Sequence, residues 1–164
     1  MAPEYETFEG KMYAGVLDMS NKKRKGKIMF WLFAPENPTV KDSLLLWLNG
    51  GPGCTSFSGG NLFEMGPVVA AQNPAGQCCV DPNGSLRPNE YAWTKATAVL
   101  FIEQPVGVGF SFGGPEPKNE DEVSGDVYAF LVNFYHVFKE FADSKLAIFG
   151  ESYAGIYGKP SGSR

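Results

Sequence analysis

The chain has 164 residues, 43% hydrophobic and 20% charged, with three cysteines and a formal net charge of -4. That length supports one domain, 1–164, with a core of its own, and the acidic balance argues against a nucleic-acid partner, which requires a basic patch. No apolar run nears the roughly 18 residues that span a bilayer, and the first six residues have neither the basic nor the apolar region of a signal peptide.

The apolar runs Met12 to Leu17 and Ile28 to Phe33 are separated by charged and turn-forming residues and predict an antiparallel hairpin. The basic cluster between them, Lys22, Lys23, Arg24 and Lys25, is expected to form its solvated turn. Pro35, Asn37 and Pro38 close the second strand. Leu44 to Leu48 is short and continuously apolar, which suits a strand buried on both faces. It breaks at Asn49-Gly50-Gly51-Pro52-Gly53. Residues 61–95 read as loops and short strands, with a turn at Asp81-Pro82-Asn83-Gly84. Asn83-Gly84-Ser85 also fits a glycosylation sequon, although the turn needs no glycan. Ala98 to Ile102 is a second strand of the buried type. The Gly107-x-Gly109 pair beyond it lacks the third glycine of a dinucleotide loop. From Glu120 to Phe141, apolar residues at Val123, Val127, Phe130, Leu131, Phe134, Phe138 and Phe141 share one helical face. Glu120, Asp121 and Glu122 suit that helix's positive N-terminal end. Leu146 to Phe149 then completes a strand–helix–strand crossover, which implies parallel strands.

Directly after this strand stands Gly150-Glu151-Ser152-Tyr153-Ala154-Gly155. A buried strand turning sharply through a small-x-Ser-x-small run is a nucleophile elbow, with Ala154 here where glycine is usual. Ser152 is therefore the candidate nucleophile of an α/β-hydrolase-type serine enzyme. Such a serine needs N–H donors aimed at the oxyanion that forms on attack. One is the N–H of Tyr153, and the glycine-rich Asn49–Gly53 loop is placed to supply another. The sole histidine, His136, falls on the predicted helix and reads as a surface residue. No C-x-x-C spacing occurs, so no metal or cofactor is expected. Cys78 and Cys79 are adjacent and would form a strained bridge, and the odd count leaves at least one cysteine free or paired elsewhere.

Four motifs now stand in a fixed order: Trp47 to Cys54, Phe63 to Pro67, Gln104 to Ser111 and Gly150 to Gly155, with Asn89 and Trp93 in support. Together they closely resemble the N-terminal portion of the serine carboxypeptidase family. The resemblance implies an incomplete α/β-hydrolase fold, the N-terminal half of the central mixed sheet with its elbow. It implies that Ser152 attacks the last peptide bond to form an acyl-enzyme, with Gly51 and Tyr153 as the oxyanion hole. Asn49, Glu64 and Glu151, with Trp47 and Gly50 in support, would hold the carboxylate of a peptide with a free C-terminus. It further implies a secreted or vacuolar/lysosomal location, no nucleic-acid or membrane partner, and a disulfide from Cys54 to a downstream cysteine. Oligomeric state is not indicated.

Two carboxyls beside a carboxylate repel it when both are ionised, whereas one that keeps its proton donates a hydrogen bond. Peptide binding is therefore expected to be best at acidic pH. The chain order of a triad in this fold is Ser, Asp, His. The residues after Ser152 include neither Asp nor His, so the chain is expected to be truncated, with an open sheet edge and little or no hydrolysis of its own. Two alternatives are a carboxypeptidase-like acyltransferase, against which Asn49, Glu64 and Glu151 argue, and a non-catalytic fold remnant.

Overall fold

A computed structural model describes residues 10–19, 24–40, 42–70 and 86–157. Lys22, Lys23, the turn and sequon at 81–85, Cys78 and Cys79 lie outside the described residues. The strands are β1 (Met12–Asp18), β2 (Lys27–Phe33), β3 (Ser43–Leu48), β4 (Val68–Ala70), β5 (Leu86–Pro88), β6 (Ala98–Ile102) and β7 (Lys145–Gly150). The α-helices are α1 (Glu120–Val137) and α2 (Ala154–Tyr157).

The predicted hairpin forms, with Met12 opposite Phe33 and Asp18 opposite Lys27. It opens a five-stranded sheet ordered β1-β2-β6-β3-β7, while β4 and β5 pair separately. β2 is antiparallel to β6, whereas β3 runs parallel to both β6 and β7. The crossover through α1 therefore joins parallel strands that are not neighbours, since β3 lies between them. Composition explains the order: Leu44 to Leu48 are all at most 6% exposed, as a strand covered on both faces requires. β7 takes the edge, and its Leu146, Ile148 and Phe149 remain 38%, 47% and 47% exposed.

Alternation along the strands divides the core in two. On one face Phe30, Leu32, Leu44, Leu46, Leu100 and Ile102 pack against the apolar stripe of α1. Phe30 sits among Phe130, Phe134 and Phe138 with ring centroids 5.7 to 6.3 Å apart. The other face gathers Phe33, Leu45, Trp47, Met65, Val99 and Phe101. Asn119 caps α1, its side-chain oxygen accepting from the Glu122 N–H at 3.0 Å. The helix stops at Val137 instead of reaching Phe141. Phe138 leaves helical geometry (φ -104°, ψ 68°), and a short 3-10 turn carries Phe141 back against Phe134.

Two expectations are corrected. Arg24 is not solvated: its Nε donates to both Asp126 oxygens at 2.9 and 3.0 Å, Nη1 to Glu122 at 2.8 Å and Nη2 to the Pro115 carbonyl at 2.7 Å. Glu122 and Asp126 are four apart on α1 and so present two acceptors on one face to a guanidinium fork. The segment after the Asn49 loop is also not all loop and strand. Phe57–Met65 forms a π-helix, whose Gly59-Gly60 pair lets its backbone approach the site closely.

Candidate active site

The elbow is built where the C-terminal ends of β3 and β7 meet. Ser152 has φ 56°, the left-handed region that residues with a Cβ rarely adopt. Glycines on both sides make room for that turn. A Cβ at Gly50 would lie 2.6 Å from both the Glu151 carbonyl oxygen and the Tyr153 nitrogen. A Cβ at Gly150 would lie 2.6 Å from the Ala154 Cβ. The Glu151 N–H donates to the Leu48 carbonyl at 3.2 Å, tying the elbow to β3. Ser152 is exposed. Among the described residues its hydroxyl has no hydrogen-bond partner, and nothing accepts from the N–H groups of Gly51 or Tyr153.

Beside the elbow lies a densely bonded shelf. Asn49 is 6% exposed. Its side-chain oxygen accepts from Trp47 Nε1 at 2.7 Å and from the Gly60 N–H at 3.0 Å. Its amide nitrogen donates to Glu151 Oε2 at 3.3 Å. Its backbone N–H donates to Ser56 Oγ at 3.1 Å, and its carbonyl accepts from Gln104 Nε2 at 3.4 Å. The π-helix rests directly on these groups. A Cβ at Gly59 would come within 2.4 Å of Asn49 Nδ2, and one at Gly60 within 2.1 Å of Trp47 Nε1.

That helix carries Glu64 to the shelf. Asn89 fixes its end, donating through Nδ2 to the carbonyls of Glu64 and Gly66, each at 2.9 Å. Trp93 meets Trp47 edge-on at 5.8 Å. Burial raises the pKa of Glu64 first, and the charge and hydrogen bond of Glu151 raise it further. Trp47, Asn49, Gly50, Glu64 and Glu151 are thus all gathered around the elbow that carries Ser152 and Tyr153, with Gly51 in the loop after β3. His136 stays exposed in the last turn of α1.

Two supporting residues were given no role by the sequence reading. Glu103, fully buried at the end of β6, accepts from Thr55 Oγ1 at 2.6 Å and the Phe57 N–H at 3.0 Å. It places a carboxyl against the N-terminal end of the π-helix, where it meets orphan N–H groups. Burial is the main cause of its raised pKa. Gln104, next in the chain, reaches the Asn49 carbonyl. The signal was a charged residue closing an apolar strand. Gly109 beyond it serves this residue, since a Cβ there would overlap the Glu103 carboxyl.

An elbow serine beside a paired-carboxyl shelf fits one sequence family. Residues 3–160 match the serine carboxypeptidase family. The chain belongs to that family. It is 40% identical over 148 residues to carboxypeptidase Y homolog A of Sclerotinia sclerotiorum, covering 90% of this chain and 24% of the relative. It is 38% identical over 151 residues to serine carboxypeptidase-like 35 of Arabidopsis thaliana, covering 90% of this chain and 30% of the relative. Among solved structures it is similar to Kex1Δp, a prohormone-processing carboxypeptidase of Saccharomyces cerevisiae. That likeness has a TM-score of 0.73 and 31% identity over 90% of this chain and 32% of Kex1Δp. The fold is accordingly the α/β-hydrolase fold. The chain spans about a quarter to a third of the length of these relatives.

Proposed function

We propose that this site is the nucleophile and carboxylate-recognition part of a serine-type carboxypeptidase, which releases C-terminal amino acids through an acyl-enzyme. Ser152 Oγ attacks the last peptide carbonyl. The oxyanion that forms accepts from the N–H groups of Gly51 and Tyr153, both free of protein acceptors among the described residues. The C–N bond then breaks, the amino acid departs, and water releases the acyl group. A serine also needs a base and an acid that orients it. The described residues bring neither to Ser152 Oγ, so residues 1–164 by themselves are expected to turn over little substrate.

The observation that carries this reading is the Glu64–Glu151 pair with Asn49 beside the elbow. Acyl transfer to an alcohol has no use for a clamp on a free carboxylate, which sets the acyltransferase reading second. The sign of the pH dependence follows from the raised pKa of Glu64. Below its raised value the group is protonated and donates to the substrate carboxylate. As pH climbs through that value Glu64 loses its proton, and its carboxylate, facing Glu151 and the uncharged Asn49, repels the substrate. Binding is thus strongest in acid and weakens towards neutrality, which suits the acidic vacuolar or lysosomal compartments expected for this protein. No described helix is long and apolar enough to cross a membrane.

Calorimetric titration with matched peptides checks this without needing turnover. Free C-termini should bind better than amidated ones, and Glu151→Gln should flatten the decline with pH. Equal affinity for both peptides, or an unchanged pH dependence in Glu151→Gln, would sink the reading.

A further inference from the structure

Tyr153 contributes a side chain to the site as well as an N–H. Its ring meets Tyr157 edge-on at 5.4 Å, and its hydroxyl donates to Glu120 Oε1 at 2.6 Å. Glu120 is the first residue of α1. One turn on, Ser124 Oγ donates to the Glu120 carbonyl at 2.9 Å and to the Tyr157 carbonyl at 3.2 Å. The start of α1 therefore grips both ends of the segment from Tyr153 to Tyr157. That start is itself fixed, because Arg24 holds Glu122 and Asp126 from the far side of the same helix turn.

The contact is poorly explained as a stabiliser alone. Glu120 Oε2 is buried without a partner, which is unfavourable for a carboxyl group. The positive end of α1 favours an acid there, and the side chain that meets this acid is the Tyr153 hydroxyl. The hydrogen bond to Glu120 also raises the Tyr153 phenol pKa, ahead of burial and charge, so the hydroxyl remains a donor. Without this tether the turn after Ser152 is held by backbone contacts, against a left-handed φ at a residue with a Cβ.

We propose that Glu120 is a positioning residue: through the Tyr153 hydroxyl it fixes the peptide plane that follows Ser152, and so the aim of the Tyr153 N–H at the oxyanion. The oxyanion role rests on the carboxypeptidase reading; the tether does not. Backbone nitrogen relaxation on the 164-residue chain tests the tether directly. The wild-type Tyr153 amide should show an order parameter near 0.85, falling below about 0.6 in Glu120→Ala and in Tyr153→Phe. Glu120→Gln keeps an acceptor and should restore the wild-type value. Tyr153→Phe removes one oxygen, so it reports even if Glu120→Ala fails to fold. Order parameters unchanged in both folded variants, or in Tyr153→Phe alone, overturn the proposal. In protein that shows Ser152-dependent hydrolysis, Tyr153→Phe should lower kcat about tenfold with KM within about twofold. A change in KM alone would overturn the aiming role. Equal affinity for free and amidated peptides counts against the carboxypeptidase reading, while the amide dynamics still decide the tether.

Discussion

Asn49 and Ser152 sit just past the ends of two adjacent parallel strands, yet they are held in opposite ways. Asn49 takes part in five hydrogen bonds and is buried. Ser152 is exposed, its hydroxyl has no partner among the described residues, and its backbone occupies a left-handed conformation. The Asn49 end is rigid because every polar group of Asn49, backbone and side chain, finds a partner. The Ser152 end is strained and its hydroxyl is free, as the proposed attack on substrate requires. Stability should therefore fall when the first is altered and rise when the second is relaxed.

The largest effect is expected at Asn49. Asn49→Ala leaves Trp47 Nε1 and the Gly60 N–H buried without acceptors, each costing about 1–3 kcal/mol. Urea denaturation should show a loss of about 2–4 kcal/mol. A loss under about 0.5 kcal/mol would mean the shelf is not held by these bonds.

A smaller loss should follow from crowding the same network. Gly60→Ala drives a Cβ to within 2.1 Å of Trp47 Nε1, and overpacking of this kind costs about 1–3 kcal/mol. Gly125→Ala is the control: it lies inside α1 with nothing within 4 Å, so it should gain about 0.5–1 kcal/mol. If both glycines respond alike, close approach is not what Gly60 provides.

The sheet, the crossover and the elbow were legible because their signals are local. Continuous apolar runs marked β3 and β6, a 3–4 spacing marked α1, and glycines around Ser152 marked a tight turn. The Phe57–Met65 helix was not legible, since Gly59 and Gly60 dilute any apolar face and the helix is held by bonds to Trp47, Asn49 and Glu103, which sequence spacing does not show. Arg24 was misread for the same reason. A turn rich in Lys and Arg looks solvated until α1 brings Glu122 and Asp126 under it. Motifs picked out residues that the fold gathers around the elbow, while the bonds of Glu103, Gln104 and Glu120 act across 33 to 55 positions of chain.

The subtlest expected effect belongs to Ser152 and has the opposite sign to that at Asn49. A left-handed conformation costs a residue with a Cβ about 1–2 kcal/mol. Ser152→Gly removes that cost but gives the unfolded chain more freedom, which takes back about 0.4–1 kcal/mol. The net gain should be about 0.5–1 kcal/mol. Ser152→Ala removes the same hydroxyl yet keeps the Cβ, so its stability should match wild type. Both variants lose the proposed nucleophile, and only their unfolding free energies separate them. Equal stability of Ser152→Gly and Ser152→Ala would show that the elbow is not strained. The contrast with Asn49 would then reduce to burial, with no conformational strain held at the serine.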